Sequence, residues 1–177
     1  MYLPAQVKQT ELQQRVRAVI DIAKMIIGQP GAYMHLPDIT EQLEDIDRLL
    51  SDEDAELEII EMHARGAGYL TIRDDGMPFT DTRLAQEICK ITGDIHQMYW
   101  AQNALSMMRT ILAKPDALPV AKEIYDIIVT RVNSFAADGR GDREYLYALN
   151  DKLREIRTQY GAALGDEYQK VFQELMG

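Results

Sequence analysis

The sequence contains a single cysteine, Cys89, among its 177 residues, so no disulfide can form within the chain. It has no apolar run close to the roughly 18 residues that a membrane-spanning helix requires. Its first residues have neither the charged start nor the apolar middle of a signal peptide. These absences predict a cytoplasmic protein that does not enter a membrane.

Basic residues are also scarce. The chain has 29 acidic and 19 basic side chains and a formal net charge of −10. Nucleic-acid-binding proteins usually carry a basic face, and acidic residues interrupt every group of lysines and arginines here. We therefore expect no direct binding of nucleic acid. The sequence also lacks a glycine-rich phosphate loop, a nucleophile elbow and a His-Glu-x-x-His motif.

Apolar residues recur at helical spacing along most of the chain. The first predicted helix runs from about Pro4 to Ile27 and ends at the sequence Gly28-Gln29-Pro30-Gly31. The second is predicted to start at Asp38, whose side chain would form a capping box with Glu41. Both helices have one apolar face, so each needs a neighbour to cover it.

The third predicted helix begins after Ser51 and ends at Gly66 and Gly68. The longest helical signal extends from about Asp81 to Lys114, with Gly93 inside it as a candidate kink or break. Its apolar stripe approaches the heptad spacing of a coiled coil. We therefore expect this long helix to lie at the interface of a homo-oligomer.

Three further amphipathic segments follow, separated by Pro115, Pro119 and a glycine-containing loop near residue 140. Short connections between successive helices favour antiparallel packing. The sequence thus predicts an all-α protein, a single domain over 1–177, built as a bundle of six or seven helices.

One stretch, Gly68–Phe79, does not follow the helical pattern. Its first residues alternate in polarity like a short strand, and Asp75-Gly76 is typical of a turn. The sequence therefore predicts a short hairpin or loop, which either packs over the bundle through Leu70, Ile72 and Phe79 or projects to contact a partner protein. The candidate partner-contact residues are those of this stretch and one methionine off the main stripe of the long helix, namely Tyr69, Arg73, Asp74, Asp75, Met77 and Met107.

The motif Glu41-x-x-Glu44 lies on the second predicted helix and Glu58-x-x-Glu61 on the third. Two such pairs on adjacent helices can direct four carboxylates at Mg²⁺, which prefers oxygen ligands. The spacing resembles that of the all-α nucleotide pyrophosphatases of the MazG and dimeric dUTPase type. The resemblance implies an Mg²⁺-dependent hydrolase, but Glu61 stands where those families usually carry aspartate.

These patterns support two functional hypotheses. The first is a non-enzymatic protein–protein interaction module, of the assembly, adaptor or chaperone-like kind, such as a component of phage or virion assembly. It would act through amphipathic helix faces and the 68–79 loop, with no cofactor. The alternative is the Mg²⁺-dependent nucleotide pyrophosphatase.

Overall fold

The computed structural model describes residues 11–72, 82–138 and 143–176, and within these ranges the protein is helical with no strand. The all-α prediction is confirmed. Seven α-helices follow one another, with a short 3₁₀ turn at Gly161–Ala163 before the last: α1 Glu11–Ile26, α2 Leu36–Leu50, α3 Leu57–Ile72, α4 Thr82–Leu112, α5 Val120–Asp138, α6 Arg143–Tyr160 and α7 Asp166–Met176.

The chain forms two compact units. Unit 1 comprises Met1–His96 with Asp138–Arg140, and unit 2 comprises Gln97–Ala137 with Gly141–Gly177. Whether the chain is one domain, as the sequence predicts, stays a prediction.

Unit 1 packs the apolar faces of α1, α2, α3 and the first half of α4 into one core, because each face is apolar at helical spacing. Gly28 and Gly31 end α1 with φ values of 86° and 80°, which glycine adopts readily and other residues do not. The ion pair between Arg15 and Asp94, at 2.9 Å, connects α1 to α4. The largest fully buried side chains of this core are Leu12, Leu36, Ile39, Leu43, Ile46, Leu50, Leu57, Ile60 and Ile88.

The predicted start of α2 is wrong. The helix begins at Leu36, its N-cap is His35, and no side chain caps it. Leu36 is fully buried and Pro37 occupies the first turn, where its missing N–H costs nothing. Burial of Leu36 therefore starts the helix before Asp38, which becomes a residue of the first turn.

The predicted ends of α3 are wrong as well. The helix starts at Leu57, because the preceding acidic residues form a turn in which Asp54 N–H donates to Asp52 Oδ1 at 2.9 Å. At its other end the helix continues to Ile72, and the predicted strand residues from Tyr69 to Ile72 are helical. The remainder of the predicted hairpin, 73–79, lies outside the described residues.

The long helix α4 is one element of 31 residues, so Gly93 does not break it. Its apolar stripe is buried against other helices of the same chain. This burial removes the reason for expecting the stripe at an oligomer interface. The stripe consists of Leu84, Ile88, Ile91, Ile95, Met98, Leu105 and Met108.

Unit 2 has its own core, formed by the second half of α4 with α5, α6 and α7. Phe172 is its largest fully buried side chain. The Leu118 N–H donates to the Tyr168 hydroxyl oxygen at 3.1 Å, and Lys114 pairs with Glu167. These contacts attach α7 to the connection between α4 and α5. None of the described helices combines the length and apolar character needed to cross a bilayer.

Candidate functional site

A groove of about 330 Å³ lies between the second half of α3 and the first half of α4, within unit 1. We call it the α3–α4 groove. Its surface is mostly apolar, which is typical of sites that receive an apolar group. Its lining consists of Arg65, Gly68, Tyr69 and Ile72 on α3 and Cys89, Thr92, Gly93 and His96 on α4.

Two glycines give the groove its shape. A Cβ at Gly68 would stand 3.1 Å from Thr92 Oγ1, so the absence of a side chain lets the two helices approach closely there. A Cβ at Gly93 would meet no atom within 4 Å, so this position opens into the groove. The groove is therefore narrow where α3 meets Thr92 and open one residue further along α4.

Two large apolar side chains stand at the rim. Tyr69 is 67% exposed and Ile72 is 70% exposed. The predicted role of Ile72 as an anchor of the 68–79 segment is therefore wrong, because continuation of the helix turns its side chain to solvent. Tyr69 is accessible, as a partner-contact residue must be.

A buried carboxylate lies behind the groove. Glu61 is 3% exposed, and its Oε1 lies 2.8 Å from His96 Nδ1, an ion-pair distance when the imidazole is protonated. Glu61 Oε2 accepts a hydrogen bond from Arg65 at 3.3 Å. A buried carboxylate requires such partners, because burial of an unpaired charge is costly. The three side chains connect α3 to α4 beside the groove.

Cys89, the only cysteine of the chain, is half-buried in the groove wall. Burial raises the pKa of its thiol above the ordinary value of 9.0, because the apolar surroundings disfavour the thiolate. Since the thiolate is the reactive form, we expect Cys89 to be a slow nucleophile. Its position makes it a natural chemical reporter of access to the groove.

The four predicted metal ligands lie in different surroundings. Glu44 is exposed and pairs with Lys24 at 2.6 Å, Glu41 and Glu58 are exposed, and Glu61 is buried against His96. Within the described ranges no three His, Cys, Asp or Glu residues are placed to hold a metal ion together. The geometry thus gives no support to the Mg²⁺ site that the sequence spacing suggested.

Met107 and the remaining contact residues complete the placement of the predicted residues. His63, which was not among the predicted site residues, lies in the middle of α3, and its Nδ1 is 2.6 Å from Gln42 Oε1 on α2. Met107 packs against the core of unit 2 and lines a shallow cavity of about 460 Å³ with Trp100 and residues of α7. The other predicted contact residues, Arg73, Asp74, Asp75 and Met77, lie outside the described residues.

Sequence reasoning missed the buried guanidinium of Arg131, which is 3% exposed on α5. It donates to Asn150 Oδ1 at 3.1 Å and to Gln97 Oε1 at 3.0 Å, while its Nε has no hydrogen-bond partner among the described residues. Burial lowers the pKa of Arg131. Arg131 lies on the apolar face of α5, three residues after Ile128, and this spacing could have predicted its burial.

Comparisons with known proteins identify no relative. No family model, no curated protein and no solved structure matches the chain.

Proposed function

We propose that this protein is a non-enzymatic protein–protein interaction module, and that the α3–α4 groove receives an apolar side chain of a partner protein. The observation that carries the proposal is an apolar groove with open space over Gly93 and two exposed apolar side chains at its rim. A partner side chain that enters the groove would also cover Tyr69 and Ile72.

The energetics favour such an occupant. Exposed apolar surface gains roughly 25 cal/mol per Å² when a partner removes it from water. Tyrosine is common among the residues that dominate protein interfaces, because it buries a large area at a small cost in conformational entropy. Tyr69 and Ile72 extend from a helix, which holds them in place before binding.

The Glu61–His96 pair suits a structural role in this module better than a catalytic one. Glu61 is buried, its Oε1 faces His96 Nδ1 at 2.8 Å and its Oε2 accepts a hydrogen bond from Arg65, so both oxygens already have contacts within the protein. The pair fixes the two helices that form the groove walls. An adaptor or assembly protein needs such a preformed surface rather than a reactive centre.

The test compares three baits that differ only at the groove. Gly93→Leu fills the open position, and Ser106→Leu adds the same side chain at an exposed position of the same helix outside the groove. We expect the parent and Ser106→Leu baits to retain the same host protein in quantitative affinity capture. The Gly93→Leu bait should lose it.

Alkylation of Cys89 provides a second measurement. A partner that occupies the groove should slow modification of Cys89 by a maleimide in the parent protein, because Cys89 lines the groove. Identical capture by all three baits, or no protection of Cys89 by a captured protein, would contradict the proposal. Circular dichroism of each variant shows whether its helices are intact.

A further inference from the structure

Helix α3 has a second apolar face besides the one buried in unit 1. Four large apolar side chains on it are exposed: Ile59 at 39%, Met62 at 49%, Tyr69 at 67% and Ile72 at 70%. At 100° per residue they fall within less than half of the helix circumference, on the side away from Ile60 and Ala64. We call these four side chains the α3 stripe.

The four residues of the α3 stripe are spaced symmetrically about their midpoint in the sequence. Met62 lies three positions after Ile59, Tyr69 seven positions after Met62, and Ile72 three positions after Tyr69. The midpoint falls between Arg65 and Gly66. A helix with this symmetry matches an antiparallel copy of itself, in which Ile59 meets Ile72 and Met62 meets Tyr69.

We propose that the α3 stripe is a homodimer interface, in which α3 of one chain packs antiparallel to α3 of a second copy about a two-fold axis between Arg65 and Gly66. An interface of this kind uses the same patch on both subunits, so the patch must be self-complementary. The symmetric spacing of the α3 stripe makes the patch self-complementary. The inference goes beyond the proposed function, because it concerns a second copy of the chain rather than a different protein.

One charged residue of α3 lies near the proposed two-fold axis. Arg65 would approach its own copy near the axis, but its hydrogen bond with Glu61 at 3.3 Å reduces that repulsion.

The expected interface is small. Covering the exposed parts of four such side chains in each chain removes on the order of 1,000 Å² from water in the pair, at the lower end of the range for specific interfaces. We therefore expect a dimer that dissociates on dilution. An obligate dimer would need a larger area.

Solution mass tests the interface. Sedimentation velocity of the full chain should give a weight-average mass that rises from 20.2 kDa towards twice that value as concentration increases. Met62→Lys places a charge in the centre of the α3 stripe and should hold the protein at the monomer mass. Met25→Lys makes the same change at a methionine on α1 that is 75% exposed, and should leave the dimer intact.

Cross-linking tests the antiparallel register. In a Cys89→Ser background, Arg65→Cys would place two thiols near the axis, where a short bifunctional maleimide can join them. Glu58→Cys would leave its two copies about 22 Å apart along the helices, at 1.5 Å per residue. We expect rapid cross-linking of Arg65→Cys and none of Glu58→Cys.

Several outcomes would overturn the inference. They are a mass of 20.2 kDa at every concentration, a dimer that Met62→Lys leaves unchanged, or equal cross-linking at both positions, which would indicate parallel helices. Gly93→Leu separates this inference from the proposed function. It changes the α3–α4 groove and none of the four side chains of the α3 stripe, so it should abolish partner capture without changing the mass.

Discussion

At the scale of single residues, the glycines of unit 1 differ in what surrounds them. Gly68 stands against Thr92, whereas Gly93 faces open space in the middle of an unbroken helix. Glycine inside a helix costs stability relative to alanine, because it loses more backbone entropy on folding. Both glycines bear this cost, but only Gly68 has a packing reason to be small, because a Cβ there would stand 3.1 Å from Thr92 Oγ1.

Gly93→Ala should raise the free energy of unfolding by about 0.5–1 kcal/mol, because a Cβ there meets no atom and helix propensity improves. Gly68→Ala is the matched control, in which the contact at 3.1 Å with Thr92 Oγ1 opposes the same gain in propensity. Urea denaturation of both variants measures the difference. A larger increase in the free energy of unfolding for Gly68→Ala than for Gly93→Ala would contradict this prediction. It would show that Thr92 can move away from the added methyl group without loss of stability.

The buried guanidinium of Arg131 permits a second prediction at this scale. Within the described part of the chain its hydrogen-bond acceptors are two neutral side-chain amides, Gln97 and Asn150, and not carboxylates. Arg131→Met should leave the free energy of unfolding within about 1 kcal/mol of the parent or raise it, because an apolar group replaces a buried unpaired charge. Asn150→Ala should instead lower it by about 1–3 kcal/mol, because the charge remains and loses an acceptor.

Thermal and urea unfolding measure both effects. Greater destabilisation by Arg131→Met than by Asn150→Ala would contradict the prediction. It would mean that the charge itself stabilises unit 2 and that a negatively charged group lies near Nε.

At the scale of elements, α3 places two adjacent isoleucines in opposite environments. Ile60 is fully buried, whereas Ile59 is 39% exposed. The helix is therefore apolar on two faces, only one of which faces the core of unit 1. The exposed face forms both the rim of the α3–α4 groove and the α3 stripe.

Ile60→Ala should lower the free energy of unfolding by about 2–5 kcal/mol, because it removes buried methyl groups and leaves a cavity. Ile59→Ala, one residue earlier, should change it by about 0.5 kcal/mol or less when measured on the dilute monomer. Urea denaturation at low concentration gives both values. Equal losses at the two positions would mean that Ile59 is also covered within the chain.

At the scale of the whole molecule, two compact units each contain a separate core, and both proposed contact surfaces lie in unit 1. The four candidate metal ligands also belong to unit 1, yet Glu44 pairs with Lys24 and Glu61 with His96. Each of these two carboxylates already has a cationic or hydrogen-bonding partner. A nucleotide bound through Mg²⁺ would have to break both contacts.

The protein should therefore show no Mg²⁺-dependent hydrolysis of nucleoside triphosphates. Phosphate release with and without Mg²⁺ measures this directly. Turnover that requires Mg²⁺ and disappears in Glu44→Gln or Glu58→Gln would restore the hydrolase hypothesis. Glu155→Gln, at an exposed position on α6 in unit 2, is the matched control for the loss of one negative charge.

The sequence by itself determined the helical class and the approximate position of most helices. Apolar spacing is a local property, and one amphipathic period predicts a helix whatever covers it. The end of α1 just before Gly28 was equally predictable, because the sequence Gly28-Gln29-Pro30-Gly31 is rich in residues that interrupt a helix. Burial of the α4 stripe by the same chain was not predictable, since spacing does not say which partner covers a face.

Only the tertiary structure decided the boundaries and pairings that form the site. Alternating polarity suggested a strand from Tyr69, but the helix continues to Ile72, and Thr71 donates to the Ala67 carbonyl oxygen at 2.7 Å. Glu61 and His96 are 35 residues apart and meet because α3 packs against α4. Local periodicity cannot encode such a contact, because it depends on how two helices approach each other in space.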